Sequence, residues 1–171
     1  MALPLVSTED SILDLPDEAA TRRLGQALAG ALQAGDVVAL GGALGAGKTS
    51  LARALIRALS RPDGGLAGEE EVPSPTFTLV QTYERRPAPV WHFDLFRLEA
   101  PDEALELGIE EAFAGAISLI EWPERLGALL PAERLDLHLD FGETPQARRA
   151  HLQGHGAWRQ RLPDLLALCH D

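Results

Sequence analysis

Several residue types are scarce in this 171-residue chain, and each scarcity excludes a class of protein or site. Asparagine is absent, so an N-K-x-D guanine-recognition motif cannot exist. The single cysteine, Cys169, precludes an internal disulfide and favours a reducing compartment. Lysine also occurs only once, at Lys48, although the chain has 15 Lys and Arg residues in all.

The chain also lacks the hydrophobic and basic segments that direct proteins to membranes or nucleic acids. No apolar run approaches the ~20 residues that span a bilayer. Met1–Pro16 has no basic region and carries acidic residues, which excludes a signal peptide and predicts a cytoplasmic protein. The formal net charge of −11 predicts a surface that repels DNA and RNA, so contact with nucleic acid would require a partner that supplies the basic surface.

The single lysine lies in a complete phosphate-binding motif. The segment Gly42–Thr49 reads GALGAGKT, which matches G-x-x-x-x-G-K-[ST]. The apolar run Val37–Leu40 predicts a buried strand before it, and a helix is expected from Lys48 to about Ser60. Strand, glycine-rich loop and helix together predict a nucleoside triphosphate site. Adenine is the default base of that nucleotide, because the guanine-recognition motif is excluded.

The motif assigns a role to each of its polar groups. Backbone N–H groups of the loop cradle the phosphates, Lys48 meets the outer phosphate oxygens, and the hydroxyl of Thr49 takes one Mg²⁺ position. The nucleotide-contacting residues expected from this segment are Gly42, Leu44, Gly45, Ala46, Gly47, Lys48, Thr49 and Ser50.

Strands and helices alternate around the loop in the rest of the sequence. This order predicts one α/β domain over residues 1–171, a three-layer P-loop NTPase fold with a central, mostly parallel (mixed) sheet flanked by helices. The stretch Leu15–Leu32 carries apolar residues at helical spacing, with Pro16 and Asp17 as the expected helix start and Gly35 as the stop. Further helices are expected at about Asp102–Leu107 and at Trp158–Leu168. The remaining β segments expected are Thr76–Tyr83, Val90–Phe93, Ala116–Ile120, Leu135–Phe141 and Arg149–Gln153. A hairpin connection is expected between the first two, and the last two are candidates for antiparallel strands.

Two carboxylates stand where predicted buried strands end, Asp94 and Glu121. Either could hold Mg²⁺ or orient the attacking water, and either could simply cap a turn. The sequence does not decide which of the two contacts the ion. Thr76, which follows a loop-like region, could bring a hydroxyl to the metal or terminal phosphate, and Trp122 could contact the site beside Glu121.

Taken in order, these segments resemble the bacterial TsaE (YjeE) family. The resemblance covers about residues 15–141 and is carried by short motifs beyond the phosphate loop. The matching segments are Leu15–Glu18, Leu44–Thr49, Ser74–Val80, His92–Arg97, Leu107–Ile109 and Glu121–Pro123.

The resemblance implies an ATPase that uses ATP and Mg²⁺ in threonylcarbamoyladenosine modification of tRNA. It implies Lys48 and Thr49 as nucleotide and Mg²⁺ residues, Glu121 on the metal side, Asp94 as an essential carboxylate, and Glu18 near the adenine. The expected partner is the TsaB–TsaD complex, which transfers the threonylcarbamoyl group. Hydrolysis would be slow alone and would reset that complex between turnovers.

The chain departs from the family at Ala43, where an acid is usual, so the role of that acid is in doubt here. Phe77 and Phe96 lack hydroxyls that the family often has. Two other functions stay open on the residues alone. A P-loop small-molecule kinase would need an arginine-bearing lid, for which Arg85-Arg86 is the only candidate. A nucleotide-dependent scaffold would bind ATP without useful turnover.

Overall fold

One mixed sheet organises the molecule, and the computed structural model describes residues 10–65 and 70–169. The strands are β1 (Asp10–Leu15), β2 (Val37–Gly42), β3 (Val80–Tyr83), β4 (Val90–Asp94), β5 (Ile117–Glu121), β6 (Arg134–Phe141) and β7 (Arg148–His155). The helices are α1 (Glu18–Ala31), α2 (Lys48–Ala58), α3 (Glu103–Glu106), α4 (Ile109–Gly115) and α5 (Trp158–Cys169), with a 3₁₀ segment at Pro123–Leu129.

The strands lie in the spatial order β1-β7-β6-β2-β5-β4-β3. The four central strands, β6, β2, β5 and β4, are parallel to one another. At one edge β3 pairs antiparallel with β4, and at the other β7 pairs antiparallel with β6 and β1 antiparallel with β7. The carboxyl ends of β2, β4 and β5 therefore meet at one edge of the sheet. Phosphate loops and strand-end acids are brought together at this edge in open α/β sheets.

Two hydrophobic cores cover the two faces of the sheet. Helices α1, α2 and α5 pack on one face through residues such as Leu28, Leu55 and Leu162. Helices α3 and α4 and the 3₁₀ segment cover the other through residues such as Ile109 and Leu126. Helices on both faces confirm the predicted three-layer, mostly parallel α/β fold.

Helix α1 begins where the sequence predicts, directly after Pro16 and Asp17. The side chain of Asp17 accepts a hydrogen bond of 2.8 Å from the N–H of Ala20, which is the arrangement of an N-cap. Leu15, just before this helix start, ends the unpredicted strand β1 and pairs with Arg148. The sequence around Leu15 does not indicate this strand, because its partner lies over 130 residues away along the chain.

The predicted strand Thr76–Tyr83 is shorter in the structure and begins at Val80. The preceding residues form a turn in which the N–H of Leu79 donates to the carbonyl of Pro75 at 2.7 Å. Leu79 has a φ of +68°, outside the strand region. This turn directs Thr76 toward the end of β4.

The predicted helix at about Asp102–Leu107 corresponds to α3, and a second helix that the sequence did not predict follows it. Gly108, at a φ of +83°, ends α3 and begins the unpredicted helix α4. The two late strands are antiparallel, as we considered, and α5 matches its prediction closely. Among the helices in residues 10–65 and 70–169, none has the length and apolar character needed to cross a membrane.

Candidate functional site

The loop between β2 and α2 can form only because its first residue is glycine. Gly42 has a φ of +135°, and a Cβ there would lie 2.5 Å from the carbonyl oxygen of Leu139 on the neighbouring strand. Gly45, with a φ of +82°, and Gly47, with a φ of +105°, also have positive φ values before α2 starts. The N–H groups of the first turn of α2 have no partner inside the helix, so they are available to an anion at its N-terminus.

Lys48 is buried, with only 5% of its surface exposed, and its ammonium group lies inside the loop. It donates to the carbonyl of Gly42 and, at 3.1 Å, to that of Ala43. The ammonium nitrogen is also 3.9 Å from the ring centroid of Trp122. Burial lowers the pKa of Lys48, while the negative charges of Glu121, Glu124 and Asp94 oppose that shift.

A chain of polar contacts joins the start of α2 to the ends of β5 and β4. The hydroxyl of Thr49 donates to the two carboxylate oxygens of Glu121 at 2.9 and 3.1 Å. His92 Nε2 lies 2.6 Å from Oε2 of the same carboxylate. Glu121 is only 2% exposed and His92 is fully buried, so this carboxylate is held from two sides away from bulk water.

Asp94 lies beside Glu121, but its contacts are different. The two acids are paired in the register of β4 and β5, so their Cα atoms are neighbours at the strand ends. Asp94 accepts from the Thr76 hydroxyl at 3.2 Å and from the N–H of Phe96 at 3.1 Å. The hydroxyl of Ser74 lies 2.7 Å from that of Thr76. The Ser-Pro-Thr segment thus reaches the site through Asp94.

The donor chemistry of this cluster suits Mg²⁺. The groups that converge here are carboxylate and hydroxyl oxygens, the ligands that a hard divalent cation prefers. Thr49 and Glu121 are already in contact with each other, whereas Asp94 is engaged by Thr76. Three protein ligands of the His, Cys, Asp and Glu types do not cluster anywhere among the described residues. A Mg²⁺ ion here would therefore have few protein ligands, and oxygens of bound phosphate and water would complete its coordination.

Trp122 lines the site through an unusual backbone conformation. Its φ of +60° is uncommon for a bulky residue, and it turns the chain sharply after Glu121. The ring lies between the ammonium of Lys48 and the ring of Phe96, whose centroid is 4.9 Å away. The indole thus forms one wall beside the lysine.

A cavity of about 730 Å³ opens beside the loop. Its walls come from α1, α2 and the connection between β6 and β7, and include Glu18, Gln26, Gly47, Ser50 and Arg148. This volume is within the range of small-molecule sites, ~300–1,000 Å³. Glu18 thus lies on the same cavity as the start of α2. Leu44, in contrast, directs its side chain outward and is 76% exposed, so only its backbone can serve the loop.

Comparison with known proteins places these residues in a family. The model of the family described as "Threonylcarbamoyl adenosine biosynthesis protein TsaE" matches residues 15–150. The chain belongs to the TsaE family. This confirms the resemblance drawn from the short motifs, and every site residue described above lies inside the matched segment.

Relatives agree with this assignment, and a solved structure has the same fold. Three proteins named "tRNA threonylcarbamoyladenosine biosynthesis protein TsaE" are similar to the chain. That of Rickettsia felis is 40% identical over 130 residues (75% of this chain and 72% of the relative). Those of Nostoc and Haemophilus influenzae are 39% and 35% identical, covering 75% and 74% of this chain and 77% and 80% of theirs. The crystal structure of Bacillus subtilis YdiB has the same fold, with a TM-score of 0.76 at 23% identity, covering 95% of this chain and 97% of that one.

Two residues of this TsaE-family site carry contacts that we did not predict from the sequence. His92 belongs to the His-Phe-Asp-Leu motif, and its position two residues before Asp94 on one strand could have placed both on the same face. Arg148 contacts the phosphate loop from more than 100 positions away along the chain. No local sequence pattern indicates such a contact.

Proposed function

We propose that this chain binds and hydrolyses ATP with Mg²⁺ as a component of tRNA threonylcarbamoyladenosine modification, acting on the TsaB–TsaD complex. The observation that carries the proposal is the contact between Thr49 and the buried carboxylate of Glu121, directly beside Lys48. A hydroxyl at the start of a helix, a strand-end carboxylate and a loop lysine are the parts that P-loop NTPases use to hold Mg²⁺ and phosphates.

Each residue receives a role from its present contacts. Lys48 exchanges the carbonyls of Gly42 and Ala43 for phosphate oxygens, because an anion offers its ammonium a stronger partner than a carbonyl does. Thr49 and Glu121 would hold Mg²⁺, which when bound supplies charge neutralisation at the phosphates. Asp94 has a separate role, to orient the attacking water together with Thr76, and it contributes to the metal site at most through that water.

The cavity beside the loop is the proposed place for the nucleoside. It adjoins Gly47 and Ser50, where the loop becomes helix, and Glu18 lines its other side. A nucleoside in this cavity would keep its phosphates at the N-terminus of α2. The absence of asparagine from the chain supports adenine over guanine.

Exposed apolar side chains beside the site support a protein partner. Leu44, Phe77 and Phe96 are all exposed, with Phe77 at 78%. Leu44 belongs to the loop, Phe77 follows Thr76, and Phe96 packs on Trp122, so a partner bound here would sense the nucleotide directly. Exposed apolar side chains of this size next to a site favour protein contact.

The charge of the chain adds an electrostatic component to that proposal. With a net charge of −11, this protein is expected to dock on a basic, tRNA-binding surface of TsaB–TsaD in the cytoplasm and compete with tRNA for it. Contact with tRNA would then be indirect. Binding to TsaB–TsaD should weaken between low and physiological salt, and an affinity that does not change would remove the electrostatic component.

The structure gives less support to the small-molecule kinase. A kinase of this type uses a mobile, arginine-bearing lid over the phosphates. Of the candidate pair Arg85-Arg86, Arg85 is buried, donates at 3.1 Å to the carbonyl of Ile56 near the far end of α2, and also contacts Glu70. The backbone of Arg86 is held in the same region by a bridge to Ser60. A buried arginine so engaged cannot close over a substrate at Lys48.

The proposed function is tested by ATP hydrolysis measured alone, with TsaB–TsaD and with candidate metabolites. We expect slow hydrolysis that only the protein pair stimulates. Lys48→Ala should abolish nucleotide binding or turnover, and Glu121→Ala should impair Mg²⁺-dependent hydrolysis more than binding. ADP release that depends on a metabolite would establish the kinase instead, and binding without turnover under any condition would establish the scaffold.

A further inference from the structure

Arg148, the first residue of β7, joins the phosphate loop to the β6–β7 connection. Its Nε donates to the carbonyl of Ala46 at 2.9 Å, and its Nη2 donates to that of Gly45 at 3.3 Å. Its Nη1 donates to Pro145 and Ala147 at 2.8 Å each. One guanidinium thus uses four of its five N–H groups on backbone carbonyls, two in the loop and two in the connection.

These contacts fix the orientation of two peptide planes in the loop. In a trans peptide the C=O and the following N–H point in opposite directions. Holding the carbonyl of Ala46 on the Arg148 side therefore directs the N–H of Gly47 to the opposite side. The same holds for the carbonyl of Gly45 and the N–H of Ala46, which donates at 3.0 Å to the carbonyl of Ala43, one of the two that accept from Lys48. The N–H groups of Gly47 and Ala46 therefore lie on the side of the loop that faces Lys48.

The contacts of Arg148 with the loop depend on the shape of its guanidinium and not only on its charge. A guanidinium presents a flat fork that can meet several carbonyls at once, whereas a lysine ammonium presents a single charged point. Since four of the five N–H groups of Arg148 are already engaged by the backbone, little capacity is left for a phosphate oxygen. The residue acts through the loop that it orients.

We infer that Arg148 is a positioning residue for phosphate binding, which sets the direction of the loop N–H groups before the nucleotide arrives. This inference rests on the proposed function, because it assumes that the loop binds a nucleoside triphosphate. It goes beyond that function by giving the β6–β7 connection a part in the affinity for phosphate.

The chain offers a matched control one residue away. Arg149 is also an arginine of β7, but it makes an exposed ion pair with Asp14, 3.0 Å from its Nε, on the other neighbouring strand. The test compares Arg148→Lys and Arg148→Gln with Arg149→Lys. The measurements are the dissociation constants of ATP and ADP by calorimetry, the melting temperature, and hydrogen exchange of the peptide that covers Gly42–Thr49.

We expect both Arg148 variants to bind ATP and ADP about 10- to 100-fold more weakly, the loss associated with hydrogen bonds to a charged group. Exchange should become faster in the loop peptide and stay unchanged in β4 and β5. Arg149→Lys should match the unmodified protein in all three measurements. Arg148→Lys should be as defective as Arg148→Gln, because the fork geometry matters rather than the charge.

Other outcomes would overturn the inference. An Arg148→Lys variant that binds ATP normally would show that only the charge is needed. Faster exchange throughout the sheet, with a matching fall in melting temperature, would show a role in stability alone. Failure of the unmodified protein to bind ATP or ADP would overturn both this inference and the proposed function, whereas binding without hydrolysis would contradict only the proposed function.

Discussion

Replacing Gly42 by alanine tests why the phosphate loop begins with glycine. Two other glycines serve as controls that separate the effect of a positive φ from the effect of a steric clash. At Gly42 both the φ of +135° and a Cβ position 2.5 Å from the Leu139 carbonyl oppose a side chain. At Gly45 the φ is +82°, but nothing lies within 4 Å of the added Cβ. At Gly30, in α1, nothing lies within 4 Å and no positive φ is required.

The three substitutions therefore have different expected effects on the free energy of unfolding. Gly45→Ala should cost about 1–2 kcal/mol, the penalty of placing an L-residue in a left-handed conformation. Gly42→Ala adds an overpacking term of about 1–3 kcal/mol, because Leu139 belongs to the paired backbone of β6 and cannot move alone. Gly30→Ala should stabilise the protein by about 0.5–1 kcal/mol, the difference in helix propensity.

Urea unfolding followed by the fluorescence of the three tryptophans measures all three variants under one condition. The slopes with urea should agree, so that the midpoints report stability. Nucleotide affinity, measured in parallel, should be lost in Gly42→Ala and retained in Gly30→Ala. If Gly42→Ala were no less stable than Gly45→Ala, the contact with the Leu139 carbonyl would not limit the loop, and the reasoning would be wrong.

Three further predictions concern polar side chains. The hydroxyl of Tyr83 is buried without a hydrogen-bond partner among the described residues, so Tyr83→Phe should leave the urea midpoint unchanged or raise it, and a lower midpoint would contradict this. Arg161 makes two 2.7 Å contacts with Asp36, so Arg161→Lys should lower the free energy of unfolding by about 1–2 kcal/mol in the same assay. An unchanged free energy would show that a single ammonium can replace both contacts. His92→Phe should reduce the increase in nucleotide affinity that Mg²⁺ produces, because the carboxylate of Glu121 loses one of its two partners. His92→Gln should retain that increase, since its amide can still donate to the carboxylate. Equal behaviour of the two variants would exclude this role for His92.

The parts of the site that the sequence predicted are those determined by local pattern. The loop needs only a short motif between a buried strand and a helix, and the acids Asp94 and Glu121 follow from strands whose apolar runs end beside them. Because β4 and β5 are parallel, their ends meet at one edge, and this brings the two acids together. Their different contacts could not be predicted, since these depend on the register of the strands and on the turn that carries Thr76.

The parts that were missed depend on contacts between distant segments. Strand β1 pairs with β7 more than 130 positions later, so the residues at Asp10–Leu15 carry no signal of their partner. Arg148 reaches Ala46 across 102 positions. Both contacts require the whole sheet order to be known, and that order is determined by the tertiary packing of both cores rather than by any single segment.

The charges around Lys48 indicate which form of the nucleotide the site can accept. One buried cation faces two buried carboxylates, Glu121 and Asp94, with Glu124 also close enough to raise its pKa. A free triphosphate would bring several more negative charges to this enclosed place, where repulsion is screened less than in water. A divalent cation bound with the phosphates would offset that charge, and the oxygens of Thr49 and Glu121 would be its protein ligands. For the proposed site we therefore expect the Mg²⁺ complex of the nucleotide to bind better than the free nucleotide, and Glu121 to disfavour the free nucleotide but favour the complex.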